Sequence, residues 1–136
     1  MPTKLERNDK ICVLTSGGDA PGMNSALRGA ARVGAELGLD MVGVEDGYVG
    51  LLAERFVPLD IRMLDDASRR GGTVLGTARS KIFPTPEGQR RAREVLAKSG
   101  FSALLVVGGN GSLTGAKTLE GVEAGRGPLR VAGLPA

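Results

Sequence analysis

Two apolar runs, ICVLT (Ile11 to Thr15) and ALLVV (Ala103 to Val107), each pass straight into a glycine cluster, and a helix-compatible segment follows. Neither run shows the polar alternation of a half-exposed strand, so each has to be covered on both faces. Strands of that kind alternating with helices make a layered α/β fold with a parallel sheet between helical layers. A chain of 136 residues is one domain's worth and is long enough to bury a core.

The other elements fit the same scheme. Ala20 to Leu37 reads as a helix, with Pro21 in its first turn, Ala26, Leu27, Ala30, Ala31, Val33 and Leu37 on an apolar side, and Gly38 as its stop. Met41 to Val44 is a second strand, Tyr48 to Leu52 a helical turn, and Arg55 to Leu59 a short extended piece. Leu64 to Arg69 reads as a short helix, and the glycine-rich stretch 69–80 as a loop or loose strand. Glu87 to Lys98 is a helix, with Pro86 at its start, acid early, Lys98 late and Gly100 at its end. Ser112 to Ala124 reads as a further helix and Leu129 to Gly133 as a further strand. The expected fold over 1–136 is a Rossmann-like three-layer sandwich with a mostly parallel sheet.

Several function classes drop out. The chain has no histidine, so imidazole chemistry is excluded within it. Cys12 is the single cysteine, which forbids an internal disulfide and suits a reducing cytoplasm. No apolar run reaches membrane-spanning length, and the charged start MPTKLERNDK has no signal-like apolar segment behind it. The aromatics are Tyr48, Phe56, Phe83 and Phe101 alone, too few to stack a series of nucleic-acid bases, so no nucleic-acid partner is expected. A net charge of +3 points only weakly to a polyanionic partner, and a small anionic ligand explains it as well.

The glycine clusters say where that ligand goes. Open α/β sheets bind ligands beyond the carboxyl ends of their strands. SGGDAPGMN follows the first strand, GGNGS follows the ALLVV strand, and both open into helices, whose free N–H groups suit phosphate oxygens. Ser112 adds a hydroxyl there, and Arg79 in the third glycine stretch is a candidate two-donor phosphate clamp. No P-loop signature occurs, and GGNGS lacks the dinucleotide spacing.

LTSGGDAPGMN (14–24), RGGTVLGTAR (70–79) and GGNGS (108–112), in that order and spacing, resemble the 6-phosphofructokinase family from about Lys10 to the last residue. The resemblance implies the N-terminal, donor-binding part of a two-domain enzyme that phosphorylates the 1-hydroxyl of fructose 6-phosphate, using ATP or pyrophosphate with Mg2+. It places Gly18 against the donor phosphates. Arg79 and Ser80 line the donor site, with Arg79 also stabilising the transferring group. Gly109, Asn110, Gly111 and Ser112 form the donor loop, and Tyr48, Phe83, Thr114 and Gly115 border the nucleotide.

Gly111 leaves room for a nucleotide and points to ATP. Asn110 stands where the family has a Mg2+-holding aspartate, so the expected ligand there is a neutral oxygen and the metal is held more weakly. Arg28, Arg32 and Asp66 match an allosteric effector segment, although Ile61 replaces a third arginine. The family's catalytic aspartate and sugar-phosphate residues lie beyond the matching segment, so these residues alone are expected to give no turnover and weak nucleotide binding. The resemblance also implies a cytoplasmic homotetramer. The alternatives are a pyrophosphate-dependent enzyme and a non-catalytic nucleotide-binding module.

Overall fold

The computed structural model describes residues 5–16, 22–59, 61–62, 64, 75–124 and 127–135. The elements run β1 (Lys10–Ser16), α1 (Met23–Leu37), β2 (Asp40–Val44), α2 (Gly47–Leu52), β3 (Phe56–Pro58), α3 (Pro86–Ser99), β4 (Ala103–Gly108), α4 (Asn110–Lys117), β5 (Glu123–Ala124), β6 (Gly127–Pro128) and β7 (Arg130–Pro135). The two apolar runs lie side by side at the centre of a five-stranded sheet of order β3-β2-β1-β4-β7. Their parallel register carries Ile11 opposite Ala103 and Ser16 opposite Gly108. β2 and β7 extend the parallel pairing outward, and β3 closes one edge antiparallel to β2.

Each face of the sheet has its own core. Ile11 and Val13 pack with Met23, Leu27 and Ala31 of α1 and with Leu59, Leu64 and Leu75. Cys12 and Leu14 pack on the other face with Leu51 of α2, Leu96 of α3 and Ala116 of α4, beside Phe101 and Leu119. Alternate residues of one strand thus enter opposite cores, which is why the run is apolar throughout. The result is the expected three-layer sandwich with a mostly parallel sheet.

α3 begins and ends as its sequence dictates. The Thr85 Oγ1 accepts from the Gly88 N–H at 3.0 Å, Pro86 and Glu87 sit in the first turn, and Gly100 closes the helix in the left-handed region.

Four local expectations are corrected. The expected helix is interrupted at Gly22, whose φ of 96° is left-handed, and the described helix starts at Met23; Ala20 lies outside the described residues. Val33 and Leu37 are exposed, because the buried stripe runs through Leu27, Ala31 and Gly34, and Gly34 lets the Met41 side chain press on the helix. The helix expected to reach Ala124 stops at Lys117. There the Leu119 and Glu120 N–H groups turn to Ala116 and Lys117 carbonyls, and the Gly121 N–H donates to Leu129. Leu129 is held by that contact and by its own N–H to the Val122 carbonyl, so the last strand runs Arg130–Pro135 rather than Leu129 to Gly133. Pro21 and residues 65–74, which hold all but the first residue of the helix expected over Leu64 to Arg69, lie outside the described residues.

Candidate functional site

β1 leads through α1 to β2 on one side, while β4, its neighbour, leads through α4 to β7 on the other. The connections diverge between these two strands, and a crevice opens at the carboxyl ends of a sheet at such a point. A cleft of about 800 Å3 lies there, lined by Ser16 from β1, Tyr48 from α2, Thr77 to Ser80, Phe83 and Pro84, Gln89 from α3, and Gly109, Gly111, Ser112, Thr114, Gly115 and Thr118. That volume suits a small-molecule ligand.

The floor is the start of α4. Gly108 ends β4 so close to its neighbour that a Cβ would run into the Ser16 carbonyl oxygen. Only glycine allows the two strands to end together. The chain then turns through Gly109 in extended geometry and enters α4 with no side-chain cap. The first N–H groups of the helix are therefore left without a side-chain acceptor from the cap residue, at the positive end of the helix dipole. The Ser112 hydroxyl donates to the Ser16 Oγ at 2.9 Å, tying α4 to β1.

The wall opposite is 75–84. The Thr15 Oγ1 donates to the Gly76 carbonyl at 2.9 Å, and the Asp46 N–H donates to the Leu75 carbonyl at 2.8 Å. These bonds fix the entry to the segment that carries Thr77, Ala78 and the exposed Arg79 along the cleft. The Ser80 Oγ accepts from the Phe83 N–H at 3.0 Å and folds the far end over.

Tyr48 and Phe83 meet in the floor with ring centroids 3.8 Å apart and planes at 7°. The Tyr48 hydroxyl donates to the Ser112 carbonyl at 2.7 Å, and burial pushes its phenol pKa well above the ordinary value.

The structure brings Arg79, Ser80, Gly109, Gly111, Ser112 and Tyr48 together at one cleft, with Phe83, Thr114 and Gly115 beside them. Asn110 is exposed as the first residue of α4, its carbonyl accepts from the Thr114 hydroxyl at 2.9 Å, and it is not among the lining residues. Arg28 and Arg32 sit on α1, in the layer on the other face of the sheet from α4, and do not line the cleft. Gly18 and Asp66 lie outside the described residues. Among the described residues, no three acidic, histidine or cysteine side chains gather as a metal cage, and no helix is long and apolar enough to cross a membrane. Pro84, Gln89 and Thr118 line the cleft from outside every glycine motif. No local pattern marks them, because they come from separate places along the chain, ahead of α3, on α3 and just past the end of α4.

Comparison with known proteins gives one answer. The phosphofructokinase family profile matches residues 10–136. An ATP-dependent 6-phosphofructokinase of Actinobacillus pleuropneumoniae is 50% identical over 110 residues, covering 81% of this chain and 34% of that protein. Its counterpart from Thermotoga neapolitana is 47% identical over 127 residues, covering 93% of this chain and 39% of that protein. The chain thus spans about a third of the length of the curated relatives it matches. Among solved structures, phosphofructokinase from Saccharomyces cerevisiae superposes with a TM-score of 0.77 at 37% identity, over 94% of this chain and 20% of that one. A pyrophosphate-dependent phosphofructokinase from Marinobacter aquaeolei shares the fold, with a TM-score of 0.67 at 19% identity over 82% of this chain and 29% of that one.

Proposed function

The chain belongs to the phosphofructokinase family, and we propose that its cleft holds the phosphoryl donor of an ATP-dependent 6-phosphofructokinase. The observation that carries this reading is the meeting of an uncapped helix start, a glycine floor and Arg79 around one cleft of about 800 Å3. The donor phosphates lie against the first turn of α4, where N–H groups and the helix dipole favour anions. Arg79 neutralises charge on the transferring group, and phosphoryl transfer depends on such positioning and charge stabilisation. The acceptor is the 1-hydroxyl of fructose 6-phosphate.

ATP is favoured over pyrophosphate because Gly111 lines the cleft with nothing within 4 Å of where a Cβ would stand, leaving room for the nucleotide. The described residues that line the cleft include no carboxylate and offer neutral oxygens, so Mg2+ fits as an ion carried mainly by the donor phosphates and its own waters, with the Asn110 side chain as an uncharged ligand. When bound it shields the phosphate charge. Regulation through Arg28, Arg32 and Asp66, a homotetrameric assembly and a cytoplasmic location belong to the same proposal.

The test is a fructose 6-phosphate phosphorylation assay on the full-length protein with ATP and pyrophosphate in parallel. Turnover with ATP is expected. Turnover with pyrophosphate alone overturns the donor assignment, and nucleotide binding without turnover identifies a non-catalytic module.

A further inference from the structure

We propose that Tyr48 is a positioning residue: its hydroxyl holds the first turn of α4 in the orientation that presents the helix start to the donor, and the Phe83 ring braces it. The proposal rests on the donor reading above and gives the aromatic pair a role distinct from stacking on a nucleotide base.

The two rings stack on each other, at 3.8 Å and 7°, and Tyr48 and Phe83 are only 5% and 4% exposed. Each covers a face of the other, so little ring surface remains to receive a base. The pair instead joins three parts of the cleft. Tyr48 stands on α2, Phe83 on the segment that follows Arg79, and the Tyr48 hydroxyl reaches the Ser112 carbonyl on α4 at 2.7 Å. Phe83 touches α4 again one turn on. A Cβ at Gly115 would stand 2.9 Å from the Phe83 Cε2, so the ring lies directly on the helix backbone.

Ser112 is therefore held from two sides. Its hydroxyl is tied to Ser16 of β1 and its carbonyl to Tyr48 of α2. The N–H groups at Gly109 to Ser112 turn with that residue, and donors aimed at an anion work only when their geometry is set in advance. Losing the phenol hydroxyl leaves the stack in place. It also leaves the Ser112 carbonyl its ordinary helical donor, because a carbonyl has two lone pairs. Tyr48→Phe thus removes the positioning contact with little damage to packing.

The experiment compares wild type, Tyr48→Phe and Gly115→Ala in the full-length protein. It reads MgATP affinity by calorimetry, Tm, and amide hydrogen exchange without ligand. Gly115→Ala displaces the brace from the other side. Both variants are expected to weaken MgATP binding about 3–10-fold, the size expected from one lost hydrogen bond. In Tyr48→Phe, exchange at Leu113 to Ala116 speeds up several-fold, exchange in β1 and β4 is unchanged, and Tm stays within about 3 °C. A lower Tm and faster exchange throughout, with unchanged affinity, overturns the proposal in favour of a purely structural role. A wild-type protein that binds no ATP sinks the donor reading, and the exchange arm still decides the brace: unchanged α4 exchange in Tyr48→Phe overturns it.

Discussion

Gly108 and Gly111 lie three residues apart in one glycine loop, and the structure gives them opposite roles. A Cβ at Gly108 would collide with the Ser16 carbonyl oxygen and stand 3.2 Å from the Ser112 Cβ. The obstacle is backbone of two paired central strands, so relief requires the sheet itself to part. Overpacking costs about 1–3 kcal/mol, and a backbone obstacle places Gly108→Ala in the upper half of that range. For a domain of this size each kcal/mol moves Tm by about 3–5 °C, so the expected loss is about 6–15 °C.

At Gly111, the second residue of α4, nothing stands within 4 Å of the added methyl. Alanine is the better helix former by up to about 1 kcal/mol, so Gly111→Ala raises Tm slightly, by about 2 °C. The same methyl projects at the cleft wall where the donor phosphates lie, and ATP affinity falls about tenfold, equivalent to about 1.4 kcal/mol. Thermal melts and ATP titration of the two variants and wild type make the comparison. Gly108→Ala as stable as wild type refutes the packing argument, and Gly111→Ala with undiminished ATP affinity refutes the phosphate floor.

Other perturbations separate the remaining roles. Arg79→Ala is expected to weaken donor binding about 10–100-fold, in line with hydrogen bonds to a charged group, and Arg79→Lys to restore part of it, as measured by donor KM. Asn110→Asp is expected to lower the Mg2+ concentration needed for half-maximal activity, because it adds a charge at the mouth of α4; an unchanged Mg2+ titration removes Asn110 as a metal ligand. Burial pushes the Cys12 thiol far above its ordinary pKa, with Lys10 opposing weakly, so the thiolate is suppressed at neutral and mildly alkaline pH. Cys12 is expected to resist a thiol reagent at pH 8 in the folded protein and to react fully in denaturant; rapid labelling without denaturant contradicts the burial.

The parts of this fold that were legible in the sequence are those fixed by neighbours along the chain. α3 carries its own start and stop in Thr85, Pro86, Lys98 and Gly100. The central strands declare themselves because both cores demand apolar residues from Ile11 to Leu14 and from Leu104 to Val107. The end of α4 was misread because Gly121 is held by Leu129, a partner from a later turn, against the helical tendency of the intervening residues. Val33 and Leu37 look like core residues at helical spacing, yet Gly34 is the position where α1 touches Met41. In the site, the glycine floor and Arg79 were visible as motifs. The Tyr48 to Ser112 bond, the stack on Phe83, and the arrival of Gln89 and Thr118 were not, because each joins residues from different elements.

The central claim is that the cleft between α4 and 75–84 receives the donor phosphates. A crystal structure of the full-length protein with Mg2+ and a non-hydrolysable ATP analogue tests it most directly. The account predicts phosphate oxygens within hydrogen-bond reach of the N–H groups of Gly109 to Ser112 and of the Arg79 guanidinium, with Tyr48 and Phe83 still stacked beneath. An analogue bound on the α1 face beside Arg28 and Arg32, with the α4 cleft filled only by solvent, contradicts it.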